Sequence, residues 1–227
     1  MSITTPPDVV EPRTTPPSSP PGRPSRWWIA GVPVAIVTML AATGYRVPVF
    51  WYQSGLHHEI ASAEPEQWAQ VNEPFTDARG DTTRDYSVRF AGLGSAGPAY
   101  EDRIGDEVTL ADGMVAQVVT LDFRAAPEQP LKGCALTLID DQGREFRVGH
   151  SFDAIGPNVT NCVPEETPGP SQPILAHQQR GVLPKGEQPR PREWSTSPAI
   201  AVPRDARFVE LRISFEEPDY VTLKLAR

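Results

Sequence analysis

Residues Trp27–Tyr45, WWIAGVPVAIVTMLAATGY, run for nineteen positions without a charge. An α-helix rises about 1.5 Å per residue, so this run spans roughly 28 Å, close to the hydrocarbon core of a bilayer. The expectation is a transmembrane helix over 26–46, with everything after it held against a membrane. Arg13, Arg23 and Arg26 precede the run, and Arg46 is the only Lys or Arg between it and Arg79. Cytoplasmic flanks are enriched in Lys and Arg, which places the N-terminus inside and the C-terminal part outside. Trp27 and Trp28 mark one edge, and Phe50, Trp51 and Tyr52 the other, as interfacial aromatic anchors do. Pro33 suits the first helical turns and Pro48 lies just beyond the end. Ala42-Thr43-Gly44 resembles a signal-peptide cleavage site, but the run exceeds the about 7–15 residues of such a signal. A buried core helix is disfavoured by apolarity on every face.

The first 52 residues hold four Arg and two acids, leaving 17 basic against 27 acidic residues in the remaining 175. A net charge of −10 is the wrong sign for nucleic acid or for anionic lipid. It fits a soluble exported domain, or a binder of cations or basic surfaces. Cys134 and Cys162 are the only cysteines. Outside the cytoplasm they are expected to pair, and neither has a CxxC or nearby Cys/His partner for a metal. No motif calls for a cofactor.

Residues 1–25 contain eight prolines among Thr, Ser, Glu and Arg. Such a segment cannot bury enough surface to fold and reads as a disordered, PPII-like cytoplasmic tail, with PxxP docking as the functional alternative. Residues 47–80 read as an extracytoplasmic stalk, and 81–227 as an all-β ectodomain. Strands are expected at 86–90, 107–110, 114–123, 131–139, 145–152, 198–202, 207–215 and 220–226, from period-two alternation. Val209, Leu211, Ile213 and Phe215 alternate with polar residues, as do Val221, Leu223 and Leu225, which gives a terminal hairpin around Glu216–Asp219. Asp112-Gly113 and Asp141-Gln142-Gly143 read as hairpin turns. Cys134 shares the parity of Leu136 and Leu138 and faces the core. Eight short strands without a long amphipathic helix predict an antiparallel β-sandwich. Residues 163–195 are Pro-rich and aperiodic, an unusually long excursion for a compact domain.

No catalytic constellation stands out. Gly92-Leu93-Gly94-Ser95-Ala96-Gly97 has the wrong spacing for a GxSxG elbow and reads as a turn. Thr160-Asn161-Cys162, with His150, His177 and Arg180, faintly resembles a sortase-type cysteine site, but Gly156–Val159 stands where the preceding hydrophobic strand belongs. His57-His58-Glu59 lacks the three or four convergent ligands that zinc requires. Asp77, Asp81 and Asp85, interleaved with Arg79 and Arg84, lack the oxygen density of a calcium loop and read as ion pairs. Arg79-Gly80-Asp81 spells an adhesion tripeptide, and Asn158-Val159-Thr160 a glycosylation sequon.

Arginine outnumbers lysine 18 to 3, and Ala and Pro are abundant. On the stretches LKGCALTLIDDQGREF and NCVPEETPGP, the chain resembles uncharacterised single-pass envelope proteins of actinobacteria. Its ectodomain is similar to immunoglobulin-like domains of unknown function outside bacterial membranes. The resemblance implies a membrane-anchored, non-catalytic module of the cell envelope that binds a protein or envelope component. The alternatives are an accessory subunit of a transporter or division complex, or an envelope enzyme with an unrecognised site.

Overall fold

The computed structural model of the chain describes residues 27–44, 46, 50, 55–101, 107–148 and 161–225. The expectations for the tail at 1–25, for Trp51 and Tyr52, for His150 and for the Asn158-Val159-Thr160 sequon lie outside these residues. The chain divides into two units, Met1–Arg46 and Val47–Arg227.

In the first unit, α1 covers Trp27–Gly44, 18 residues with Pro33 inside, and Trp27 and Trp28 are its first two positions. Val34, Ile36, Val37, Met39 and Leu40 are all exposed, so the helix is apolar on every face. Its hydroxyls are satisfied internally: Thr38 Oγ1 donates to the Val34 carbonyl at 2.8 Å and Thr43 Oγ1 to that of Met39 at 2.6 Å. At 18 residues the helix rises roughly 27 Å, a few Å less than a ~30 Å hydrocarbon core. Among the described residues no helix is long and apolar enough to cross a membrane.

The second unit is a β-sandwich. Its strands are β1 His58–Ala63, β2 Ala69–Asp77, β3 Gly80–Gly97, β4 Ala99–Glu101, β5 Glu107–Thr109, β6 Met114–Ala125, β7 Ala135–Asp140, β8 Glu145–Val148, β9 Glu193–Thr196, β10 Ala199–Pro203, β11 Phe208–Ser214 and β12 Asp219–Lys224. One sheet has the order β1-β12-β11-β7-β8 and the other β10-β6-β3-β2, with β9 pairing on β6 beside β10. The inner faces meet in one core: Val71, Val88, Val119, Leu121 and Phe123 from one sheet, Leu136, Leu138, Leu211, Ile213, Val221 and Leu223 from the other.

The terminal hairpin forms as expected, with Leu211 opposite Leu223 and Ile213 opposite Val221, all but fully buried. So does the β7–β8 turn, where the Asp140 carboxylate accepts from the backbone N–H groups of Gln142 and Arg144 and Gly143 takes a φ of 77°.

Several expectations are corrected. The segment 47–80 is not all stalk, because it contains β1 and β2. β2 alternates perfectly, with Ala69, Val71, Glu73 and Phe75 buried and their neighbours exposed. A glutamate in the inward row breaks the hydrophobic pattern, and so does its cross-strand partner Arg84, which hid the first half of β3. Arg84 is 2 % exposed and its guanidinium lies 2.8 Å from the Glu73 carboxylate. The same guanidinium lies 4.3 Å from the Phe75 ring and 4.4 Å from that of Phe215, while its Nε donates to the Pro130 carbonyl. Burial pushes the Glu73 carboxyl above its ordinary range, against the pull of Arg84.

The glycine-rich stretch 92–97 is not a turn. It continues β3 against β6, with register shifts at Phe90/Gly92 and Ser95/Gly97 that make two bulges. Gly113 turns with a φ of 86°, but the strands it joins do not pair; β5 pairs with β4 instead. The sandwich is not wholly antiparallel either, since β1 runs parallel to β12. The long loop ends earlier than expected, because residues 193–196 form β9, where Trp194 is buried and stacks on Phe123 with ring centroids 5.5 Å apart.

Removing one member of the Glu73–Arg84 pair strands the other charge in the core. Arg84→Ala should cost on the order of 3–5 kcal/mol in denaturant unfolding, whereas Glu73→Leu with Arg84→Met should recover most of that loss. Equal stability of Arg84→Ala and the unmodified chain would refute the assignment.

Candidate functional site

The longest irregular segment among the described residues lies between β8 and β9 and is described from Asn161 onward. It has no strands, yet it is braced at four places. Cys162 is joined to Cys134 at the head of β7, 28 positions away, and both are fully buried in the core. In the chain-entropy picture a loop of this size stabilises the fold by roughly 3–4 kcal/mol. Trp194 Nε1 donates to the Cys162 carbonyl at 3.0 Å, which closes the base of the excursion from its other end.

The third brace is Arg190, 1 % exposed and touched by no carboxylate among the described residues. Its guanidinium donates to the carbonyls of Pro168, Ala126 and Gln129 at 2.9–3.1 Å and lies 4.4 Å from the Trp194 ring. One buried cation therefore ties the loop to the β6–β7 connection. Burial pushes its pKa down to about 10, against the attraction of Glu128, so it stays charged at neutral pH. Gly169 is required beside it: φ is +79°, and a Cβ there would come within 2.9 Å of the guanidinium.

The fourth brace meets the β2–β3 hairpin tip. Arg180 Nε and Nη2 donate to the two Asp77 oxygens at 2.7 and 2.8 Å, and Nη2 also to the Gly80 carbonyl. Arg79 donates to the Gln178 carbonyl, and the Ala78 N–H to that of Pro173. The Gln178 side chain accepts from the N–H groups of Ile174 and Leu175. Hydrogen bonding from Arg180 holds the Asp77 carboxyl below its ordinary value. So fixed, the segment turns Ile174, Leu175 and Val182 outward, with 75 %, 50 % and 56 % of their surfaces exposed. These are the large apolar side chains that the braced segment leaves exposed.

The other sequence candidates resolve as follows. The Cys134–Cys162 bond leaves no thiolate for sortase-like chemistry, and Arg180, a potential partner there, is spent on Asp77. The adhesion tripeptide sits on the hairpin tip with its side chains engaged, Arg79 with Gln178 and Asp81 with the Thr76 hydroxyl. Asp77, Asp81 and Asp85 point at three different partners, Arg180, Thr76 and Asn72. His58 bonds Asp219 at 2.8 Å, and no group of three or more His, Cys, Asp or Glu among the described residues is placed to hold a metal. The bracing role of Arg190 was missed in the sequence. An arginine among prolines in an aperiodic segment carries no local signal.

No protein-family model and no curated protein matches the chain. Among solved structures, it is similar to an uncharacterized β-sandwich protein from Clostridium difficile, at 10 % identity and a TM-score of 0.34, covering 77 % of this chain and 97 % of that one. Likeness of that extent carries no argument about function.

Two outcomes test the bracing. Replacing both cysteines with alanine should lower unfolding stability by roughly 3–4 kcal/mol. Because the Asp77 pKa is depressed, its contribution is complete above the ordinary carboxyl value and is lost as pH falls through the lowered one. Amide exchange over residues 173–181, taken relative to the intrinsic rate at each pH, should therefore stay slow at neutral pH and quicken only in acid below about pH 4. Asp77→Asn should quicken it at neutral pH as well.

Proposed function

We propose that the chain is a membrane-tethered, non-catalytic interaction module of a bacterial cell envelope, its N-terminus cytoplasmic and its sandwich outside. The observation that carries this reading is the braced segment 161–192, which leaves the apolar side chains of Ile174, Leu175 and Val182 exposed. Four separate anchors on an irregular segment are costly in ordered backbone, and a surface held so firmly is pre-organised for a partner. A protein or envelope component with a complementary apolar patch is the ligand it suits.

Tethering is supported by the charge-free run Trp27–Tyr45 and by a helix apolar on all sides. Placement outside the cytoplasm is supported by the arginines before the run and by a disulfide that joins the chain's only two cysteines. The strand order supports an immunoglobulin-like arrangement. β12-β11-β7-β8 takes the place of the G-F-C-C′ sheet, and β3-β6-β10 that of A-B-E. The disulfide departs from that pattern, since it fastens the loop to β7 instead of bridging the two sheets.

In-cell crosslinking of the full-length chain, of the helix with its tail alone, and of an Ile174→Ser, Leu175→Ser, Val182→Ser variant tests the proposal. A protein or glycan captured by the full chain and lost from the other two is the expected result. Capture retained by the helix alone would instead favour an accessory subunit assembled through its membrane segment. Hydrolysis or transfer of an envelope substrate by the purified chain would overturn a non-catalytic role.

A further inference from the structure

The outer face of the β10-β6-β3-β2 sheet carries a row of polar side chains that lie outside the core. Residues opposite one another across neighbouring strands project to the same side, so register sets their neighbours. Gln70 of β2 lies opposite Ser87 of β3, Ser87 opposite Arg124 of β6, and Arg124 opposite Glu193 of β9, a single row across four strands. Asn72 and Asp85 form the adjoining row and are joined by a hydrogen bond from the amide to the carboxylate. With Arg192 these groups line an open depression of about 660 Å³. Small-molecule sites occupy about 300–1,000 Å³.

One wall of the depression is pre-set. The Arg124 guanidinium lies 4.1 Å from the Trp68 ring centroid, and its Nε lies 3.2 Å from Glu193 Oε1. Trp68 is held in turn by Arg89 at 4.8 Å, and Arg89 by Asp122 at 2.6 Å. Asp122 also accepts the Ser195 hydroxyl at 2.6 Å. In the floor, the Gln70 amide and Ser87 hydroxyl make no side-chain hydrogen bond among the described residues, and their donors and acceptors are unspent.

The charges decide the class of ligand. Asp85 and Glu193 balance Arg124 and Arg192, so the depression offers no net field to a phosphate, a carboxylate or a cation. What it offers is a shallow array of amide, hydroxyl, carboxylate and guanidinium groups, with donors beside acceptors. A hydroxyl-rich neutral molecule, each of whose groups both donates and accepts, matches that array. We propose that this face binds an uncharged carbohydrate, with Gln70, Asn72, Asp85, Ser87 and Arg124 contacting its hydroxyls and Glu193 orienting Arg124. Of the braced segment only Arg192, at its far end beside β9, lines the depression; Ile174, Leu175 and Val182 do not.

The test is calorimetric titration of the full-length chain with uncharged oligosaccharides of glucose, galactose, mannose, arabinose and N-acetylglucosamine, and with sulfated and uronic acid counterparts. At least one uncharged oligosaccharide should bind. Gln70→Ala and Asn72→Ala should each weaken it about tenfold, the effect of one lost hydrogen bond, with the unfolding midpoint unchanged. Asp77→Asn, which loosens the loop, should leave sugar binding as it was. The proposal fails if no uncharged oligosaccharide binds, if charged counterparts bind more tightly, or if Gln70→Ala and Arg124→Ala bind as well as the unmodified chain.

Discussion

Arg84 is the point on which the two layers of the sandwich converge. Its charge answers Glu73 across the β2–β3 pairing, its flat faces meet Phe75 from the same sheet and Phe215 from the other, and its Nε holds the β6–β7 connection at Pro130. A guanidinium suits this place because it is planar, always charged and weakly hydrated, and so can stack and donate at once. Lysine would offer a charge but neither the faces nor the fork. The pair also fixes register. Side chains alternate across a strand, so sliding β2 by one residue would turn Glu73 to solvent and leave the arginine buried alone. Tyr86, fully buried beside the pair, has its phenol pushed far above the usual range by desolvation, which keeps it neutral there.

A second buried guanidinium repeats the device in another setting. Arg190 has no carboxylate against it among the described residues; its two terminal nitrogens donate to three carbonyls of the irregular connections, while its Nε has no hydrogen-bond partner there. In a segment rich in proline, where backbone donors are missing, a side chain with five donors supplies what the chain itself lacks. Arg180 does the same at the hairpin tip. Beyond Val163, which joins the core, the long excursion is thus organised largely by arginines and one disulfide, and Ile174, Leu175 and Val182 face outward.

Much of this was legible in the sequence, and the gaps have physical causes. Strands whose inward rows are wholly apolar, such as β6, β11 and β12, declared themselves by alternation. β2 and the start of β3 did not, because the residues that occupy their inward row at Glu73 and Arg84 are charged, and Pro74 adds a further break signal. The glycines of β3 read as a turn because the same freedom of φ serves bulges. Turn chemistry at Asp112-Gly113 was legible, but the pairing on either side of it is set by tertiary contacts. The disulfide followed from the cysteine count and the expectation of an oxidising compartment. The polar rows on the outer face were invisible, since Gln70, Ser87, Arg124 and Glu193 come together only through the register of four strands.

The parallel pairing of β1 with β12 has a consequence for the order of events in folding. Among the described strands the first, β1, pairs with the last, β12, with Ala63 set against Leu223. Until those final residues are available, β1 is an open edge and the β1-β12-β11-β7-β8 sheet lacks its closing member. Contacts so distant in sequence are slow to form, because the intervening chain must first be gathered in. The domain therefore completes itself late.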